Sequence, residues 1–333
     1  MRVLIVRLSA MGDIVHALPL AANARAAGAT VGWAVERPFA DLLEGNPDCS
    51  SVFVAETRRW RASPLSPATW RSLASFRAAL RAFRPDFAID AQGNWKSAIV
   101  AWSAGAPVAG LAASERREPT SALLCALPIR PGRDARHVVD QNLGLLAPLG
   151  IPIRARAPDA RYLLARPNAE AAAFLAEVPK PFAVFHPGAG RVEKIWGEGR
   201  FARLAAALSR SAGAYPVISW GPGDEERATR LGSLLPGASR LPRLDLAGLA
   251  HVFAASALVV AGDTGPLHLA DAVGATPLAL FELDDPDRNS AERNGPYRNR
   301  DHVVVGMRDA ADAEVLERAI ALLRAGQDRP GSL

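Results

Sequence analysis

Short apolar runs alternate with amphipathic stretches along almost the whole chain. In the first half, residues 3–8, 31–35, 51–54 and 86–90 read as strands, apolar runs bounded by turn-forming residues. Between them, 14–27, 69–83, 96–102 and 138–149 read as helices, with a shorter one near 39–43. The stretch 69–83 puts Trp70, Leu73, Phe76 and Leu80 at helical spacing, a stripe that predicts one face against a core. Residues 151–181 break the rhythm with Pro152, Pro158, Pro167, Pro179 and Pro181, and hold one helix-like segment near 169–177. The alternation then restarts, with strands at 182–185, 217–220, 258–261, 277–281 and 303–305, and helices at 199–212, 225–235, 246–255 and 310–325. Repeated strand–helix alternation predicts an α/β fold with mostly parallel sheets covered on both faces. Two doubly wound domains are expected, over 1–150 and 182–326, joined by 151–181. The cleft facing both is the default place for a site.

Composition narrows the class. The chain has 333 residues, 49% hydrophobic and 22% charged, which are globular values. Its two cysteines, Cys49 and Cys125, make neither a disulfide framework nor a metal cluster, so a reducing compartment is expected. Residues 97–114 carry no charge, but Gly105, Pro107 and Gly110 interrupt them. A buried helix followed by a buried strand accounts for them better than a membrane span. The N-terminus enters a strand directly, without the long apolar segment of a signal peptide. The net charge of +5 and pI of 9.7 point to an anionic partner: a nucleotide, a phosphorylated lipid surface or nucleic acid.

The candidate chemistry sits in loops that follow strands. The stretch from Leu258 to Ala272 reads strand, Gly262-Asp263-Thr264-Gly265-Pro266 turn, then helix. Thr264 can cap that helix, and its first N–H groups can seat a phosphate. Gly262 and Gly265 would let the backbone turn and approach a ligand. His268, one turn in, can reach a phosphate oxygen or a sugar hydroxyl. A capped strand-to-helix turn without a ligand fits the same residues. After the first strand, Ser9-Ala10-Met11-Gly12-Asp13 has one glycine and is no dinucleotide fingerprint. Asp13 reads either as a carboxylate favoured by the helix dipole or as a general base.

Arg58, Arg59 and Arg61 around Trp60 can bind carboxylates or phosphates, or form a solvated loop. Asp90-Ala91-Gln92-Gly93-Asn94-Trp95-Lys96 places Lys96 after another strand, where it can meet an acceptor carboxylate. Arg116, Arg117, Glu118 and His137 are scattered polar groups with no pattern of their own. In His186-Pro187-Gly188-Ala189-Gly190, small residues would let a diphosphate approach, and Lys194 would add a point charge, though the spacing is not that of a Walker loop. Trp220-Gly221-Pro222-Gly223-Asp224-Glu225 offers carboxylates for ribose hydroxyls, or an acidic helix start. No metal-binding pattern is present, and Asp284-Asp285-Pro286-Asp287 reads as surface.

Together, RLSAMGDIVHALP, RRWR, DAQGNWKSA, RREP, the HPGAG-to-Trp196 loop, WGPGDEER and DTGPLHLADA resemble bacterial lipopolysaccharide heptosyltransferases. They resemble the heptosyltransferase I branch of the ADP-heptose glycosyltransferase family, family 9, and occur in its order over nearly the whole chain. The resemblance implies a GT-B fold with an N-terminal acceptor domain and a C-terminal donor domain. It implies inverting, metal-independent and cofactor-free transfer of L-glycero-D-manno-heptose from ADP-heptose to Kdo of lipid A. Carried over, Asp13 is the general base, and Lys194 with Ala189 and Gly190 holds the diphosphate. Asp263, Thr264, Gly265 and His268 hold diphosphate and heptose, Glu225 the ribose, and Leu244 packs on adenine. Arg58, Arg59, Arg61, Lys96, Arg117 and His137 read the anionic acceptor. The expected place is the cytoplasmic face of the inner membrane, in peripheral contact with its anionic leaflet, with no nucleic-acid partner.

The chain departs from the family in three places. Phe281-Glu282-Leu283-Asp284-Asp285-Pro286-Asp287 stands where a GPTDP-like turn is usual, which bears on the donor sugar. The loop at His186-Pro187-Gly188 is one residue longer, and the ribose role assigned to Glu225 can shift to Asp224. The rival readings are a sibling transferase with another nucleotide sugar or acceptor, a GT-B nucleotide-sugar epimerase, and a non-catalytic anion binder.

Overall fold

The computed structural model describes residues 1–191, 194–282, 290–307 and 310–327. The chain divides into two compact units, Met1–Tyr162 and Leu163–Leu333. The division falls within the proline-rich stretch that follows residue 150.

The first unit contains β1 (Arg2–Val6), α1 (Met11–Ala26), β2 (Thr30–Glu36), β3 (Ser51–Ala55), α2 (Thr57–Ala62), α3 (Pro67–Ala82), β4 (Phe87–Asp90), α4 (Trp95–Ser103), β5 (Val108–Leu111), β6 (Leu127–Ile129) and α5 (Val138–Gly144). Its sheet runs β3-β2-β1-β4-β5-β6, with every pairing parallel. Val3 to Val6 and Val31 to Glu36 are fully buried, as strands covered on both faces must be. Trp60, Leu80, Phe83, Val100 and Ala101 from the following elements pack on Leu4, Val6, Ala34 and Ala88.

The second unit contains α6 (Ala169–Glu177), β7 (Phe182–His186), α7 (Glu198–Ala212), β8 (Tyr215–Ile218), α8 (Glu225–Leu234), β9 (Ser239–Arg240), α9 (Leu246–Ala255), β10 (Leu258–Gly262), α10 (Gly265–Ala272), β11 (Pro277–Phe281), α11 (Ala291–Asn294), β12 (Val303–Val305) and α12 (Asp312–Gln327). Its sheet runs β12-β11-β10-β7-β8-β9, again parallel throughout. Counted within each unit, both sheets have the strand order 3-2-1-4-5-6 of doubly wound nucleotide-binding folds. The chain is therefore α/β with two Rossmann-like units.

Four local expectations change. The first helix begins at Met11, so Asp13 lies inside it. Residues 138–149 are not one helix. The helix ends at Gly144, and a 3₁₀ turn at Ala147–Leu149 contains Pro148, which has no N–H to continue an α-helix. The arginine-rich segment read as a loop is the helix α2, anchored by buried Trp60. Trp60 packs at a tilt against Phe76, with ring centroids 5.4 Å apart, and donates from Nε1 to Ser72 at 3.0 Å. Trp70, expected in the core with Leu73, Phe76 and Leu80, is instead 63% exposed.

Candidate active site

In a doubly wound sheet, the crevice forms at the carboxyl ends of the two strands where the order reverses. Those strands are β1 and β4 in the first unit, and β7 and β10 in the second. The segments that follow them carry Asp13, Lys96, Lys194 and Asp263, the first two inside the helices α1 and α4. Topology alone thus selects residues that their local patterns left ambiguous.

Asp13 sits at the third position of α1. Its Oδ2 accepts the Ala10 N–H at 3.1 Å, and its Oδ1 pairs with Arg7 Nη2 at 2.6 Å. The helix-start reading of Asp13 is thus true geometrically. It leaves room for the other reading, because the side chain is 43% exposed while that of Arg7 is 9% exposed. Arg7 is in turn held by the Ala91 carbonyl after β4. A buried guanidinium spanning both switch-point loops therefore fixes the orientation of a solvent-facing carboxylate. No local pattern marks Arg7, because only the fold shows that β4 lies beside β1.

At the neighbouring strand end, Lys96 Nζ donates to Glu36 Oε1 at 2.8 Å, and Thr57 donates to the same oxygen. Burial pushes Glu36 up, but hydrogen bonds from Lys96 and Thr57 and the charges of Lys96 and Arg58 outweigh it, leaving Glu36 below its ordinary value. Glu36 thereby ties α2 and α4 to the end of β2. Arg58, Arg59 and Arg61 are exposed on α2, and Arg59 pairs with Glu56 at 3.1 Å. Arg117 is exposed. Its neighbour Arg116 is not: it makes a fully buried ion pair with Asp90 at 2.7 Å. Its Nη1 also donates to Ser121 at 3.1 Å. A Cβ on Gly110 would stand 2.3 Å from the Arg116 guanidinium, which explains the glycine there. His137 is 2% exposed and caps α5, its Nδ1 accepting the Val139 N–H at 3.1 Å. That nitrogen is committed to the helix.

In the second unit, Asp263 gathers two basic groups. Its Oδ2 accepts from Lys194 Nζ, and its Oδ1 lies 3.2 Å from His268 Nε2. Burial pushes Asp263 up, but hydrogen bonding and charge from His268, followed by those from Lys194, hold it below the usual carboxylate range. Thr264 stands at the N-cap of α10, but its side chain makes no capping bond. Its hydroxyl is buried, with no hydrogen-bond partner among the described residues. The expected Thr264 cap is therefore absent, and an unsatisfied hydroxyl stands beside the first N–H groups of a helix. Such an arrangement can receive an anionic oxygen.

The expected role for Gly262 also changes. Neither Gly262 nor Gly265 is left-handed, and a Cβ on Gly262 would meet the Lys194 carbonyl at 2.8 Å. The glycine lets the Lys194 loop lie on the end of β10. Ala189 is half-buried, and exposed Gly190 has open space around it. Gly188 is tight, since a Cβ there would stand 2.2 Å from Asp224 Oδ2. Burial raises Asp224, while Glu225 points outward and accepts the Gly223 N–H at 2.8 Å. Leu244 is half-buried just before α9. His186 is buried against Ser219 Oγ at 3.1 Å, and burial pushes its imidazole down to about 4.

Among the described residues, no group of three or more His, Cys, Asp or Glu side chains is placed to hold a metal ion. None of the described helices is long and apolar enough to cross a membrane. Residues 283–287 of the loop that departs from the family pattern lie outside the described residues.

Residues 73–320 match the family described as "Glycosyltransferase family 9 (heptosyltransferase)". The Lipopolysaccharide heptosyltransferase 1 of Pseudomonas aeruginosa is 36% identical over 296 residues, covering 86% of this chain and 80% of that protein. The solved structure of E. coli heptosyltransferase WaaC with ADP superposes with a TM-score of 0.79 at 28% identity, over 97% of this chain and 100% of that one. WaaC with ADP-2-deoxy-2-fluoro heptose gives a TM-score of 0.75 at 29% identity, over 98% of this chain and 100% of that one.

Proposed function

The chain belongs to glycosyltransferase family 9, and from that premise we propose that it transfers L-glycero-D-manno-heptose from ADP-heptose to Kdo of lipid A, a step in building the lipopolysaccharide inner core. The observation that carries this reading is the grouping of Lys194, His268 and the unsatisfied Thr264 hydroxyl around Asp263 at the start of α10. The leaving group of such a reaction is a nucleoside diphosphate, whose charge grows as the glycosidic bond breaks. Fixed cations and N–H dipoles stabilise that charge without reorganising. Lys194 is the cation, the α10 terminus supplies N–H groups, and Thr264 donates a hydrogen bond. Asp263 holds the two basic groups in place, and Ala189 and Gly190 leave the backbone open to the phosphates. Glu225 takes the ribose, and Leu244 packs on adenine.

The first unit supplies the acceptor side. Asp13, oriented by Arg7, takes the proton of the acceptor hydroxyl as its oxygen bonds to the anomeric carbon. ADP departs from the opposite face, so configuration inverts. Arg58, Arg59, Arg61, Lys96 and Arg117 face an anionic acceptor, with Lys96 exchanging Glu36 for the substrate carboxylate. His137 contributes through the helix it caps. The enzyme works at the cytoplasmic face of the inner membrane, in peripheral contact with its anionic leaflet. The test is turnover of ADP-heptose with a Kdo-bearing lipid acceptor, beside GDP- and UDP-sugars. Heptosylated acceptor plus ADP is the expected product. Use of another donor, or sugar conversion without acceptor, would overturn the reading.

A further inference from the structure

The outer face of α4 carries no charge. Trp95, Ile99 and Trp102 lie at spacings of four and three, one stripe of the helix, and are 39%, 51% and 56% exposed. Lys96, the helix's lone charge, turns away to Glu36. The stripe continues onto the turn Pro119–Leu124, which packs on α4 and is tied to it by Trp95 Nε1 donating to Thr120 at 3.1 Å. There Leu123 is 82% exposed. Helix α3, packed beside α4, adds exposed Trp70. Surface helices of the second unit show the ordinary pattern instead, as where α8 exposes Glu225, Glu226 and Arg230. An uncharged Trp-Ile-Trp stripe is a costly surface to leave in water.

The surrounding charge identifies what covers it. α3 carries Arg71, Arg77 and Arg81, all exposed, and has no acidic residue. Arg81 donates from Nε to the Ser103 carbonyl at the end of α4, at 3.2 Å. The bias extends to the whole unit: Met1–Tyr162 has 20 Lys and Arg against 13 Asp and Glu, while Leu163–Leu333 has 19 against 21. Exposed tryptophans beside arginines match the boundary between acyl chains and anionic head groups. The indole rings sit at head-group depth, and each arginine gains from the negative surface potential.

We propose that the α4 stripe, with Leu123, Trp70 and the α3 arginines, is the face by which this protein docks on an anionic lipid bilayer. The inference rests on the proposed membrane-bound acceptor and names the surface that meets the membrane. The docking is interfacial and does not insert a helix, since α4 spans only nine residues.

The experiment uses the full chain and flotation with vesicles containing phosphatidylglycerol, beside all-phosphatidylcholine vesicles. Three proteins are compared: wild type, Ile99→Ser/Trp102→Ser, and Arg71→Gln/Arg77→Gln. Wild type is expected to float with the anionic vesicles only, and the stripe variant to bind about tenfold more weakly or worse. The arginine variant is expected to lose much of the salt-sensitive part. Turnover with a water-soluble Kdo-bearing acceptor should be unchanged in both variants, showing that they fold. Equal binding by wild type and the stripe variant would overturn the proposal. So would a lipid-free dimer that the stripe variant abolishes, which would make a second copy the occupant. A wild type that turns over the soluble acceptor yet ignores anionic vesicles would overturn it as well. Failure of soluble turnover in the wild type would instead strike the proposed reaction, and flotation would still decide the face.

Discussion

Asp13 and Asp263 occupy corresponding places. Each follows a strand beside the reversal point of its sheet, and each lies within the first turn of a helix or just before it. Their surroundings invert. Asp13 is half-exposed and steadied by one buried arginine. Asp263 is 9% exposed and holds Lys194 and His268. In the first unit a cation serves to aim a carboxylate outward. In the second a carboxylate serves to hold a lysine and a histidine in place. On the proposed reading, one strand order supports both a proton acceptor and an anion seat. What differs is which sign of charge is buried as the fixed partner and which is left to meet substrate.

That difference can be tested in decreasing order of effect. Lys194→Ala removes the lysine that Asp263 holds in the second unit. Turnover should fall about a hundredfold, roughly 3 kcal/mol on the scale of a lost oxyanion-hole donor. Steady-state kinetics with a saturating acceptor reads it, and a change of only a few-fold would remove Lys194 from the chemistry.

The next effect is on stability. His186 is held neutral by burial in the second unit, with its folded value near 4. Its unfolded value is about 6.5, so between those values the unfolded chain binds the extra proton and stability falls as pH falls. From pH 7 to pH 5 the loss from this group is about 2 kcal/mol. Urea unfolding should show it in wild type, and His186→Gln should remove that part of the pH dependence.

The smallest effect is expected in the first unit. Glu36→Gln keeps the shape but loosens Lys96 and α2. The acceptor KM should shift several-fold, about 1 kcal/mol, with kcat nearly constant. An equal change in kcat would mean that Glu36 acts on the reacting atoms.

The alternation of strands and helices was legible because it depends on local periodicity. Residues 246–255, 277–281 and 303–305 have the boundaries read from the pattern alone. Lys194 and the Asp263–His268 turn were legible as candidates too, since they stand in or beside small-residue loops with recognisable chemistry. What escaped were partners brought together by strand order. Arg7 meets the loop after β4, Lys96 crosses to Glu36, and Arg116 pairs with Asp90, each across a separation that no periodicity reveals. Arg116 and Arg117 are adjacent in sequence, yet one is buried in an ion pair and the other is exposed. Trp60 and Trp70 show the same limit. Both are large apolar residues in helices, and only packing decides that Trp60 joins the core and Trp70 faces outward.

The most direct test sets Asp13→Asn beside Asp263→Asn, measuring the ADP-heptose Kd by calorimetry and single-turnover rates at saturating donor and acceptor. The account predicts that Asp13→Asn leaves the donor Kd within about twofold while the rate falls roughly a hundredfold or more. It predicts that Asp263→Asn weakens donor binding about tenfold or more, because Lys194 and His268 lose the group that holds them. If Asp13→Asn kept its rate, or if it weakened the donor as much as Asp263→Asn does, the division of labour between the two units would be contradicted.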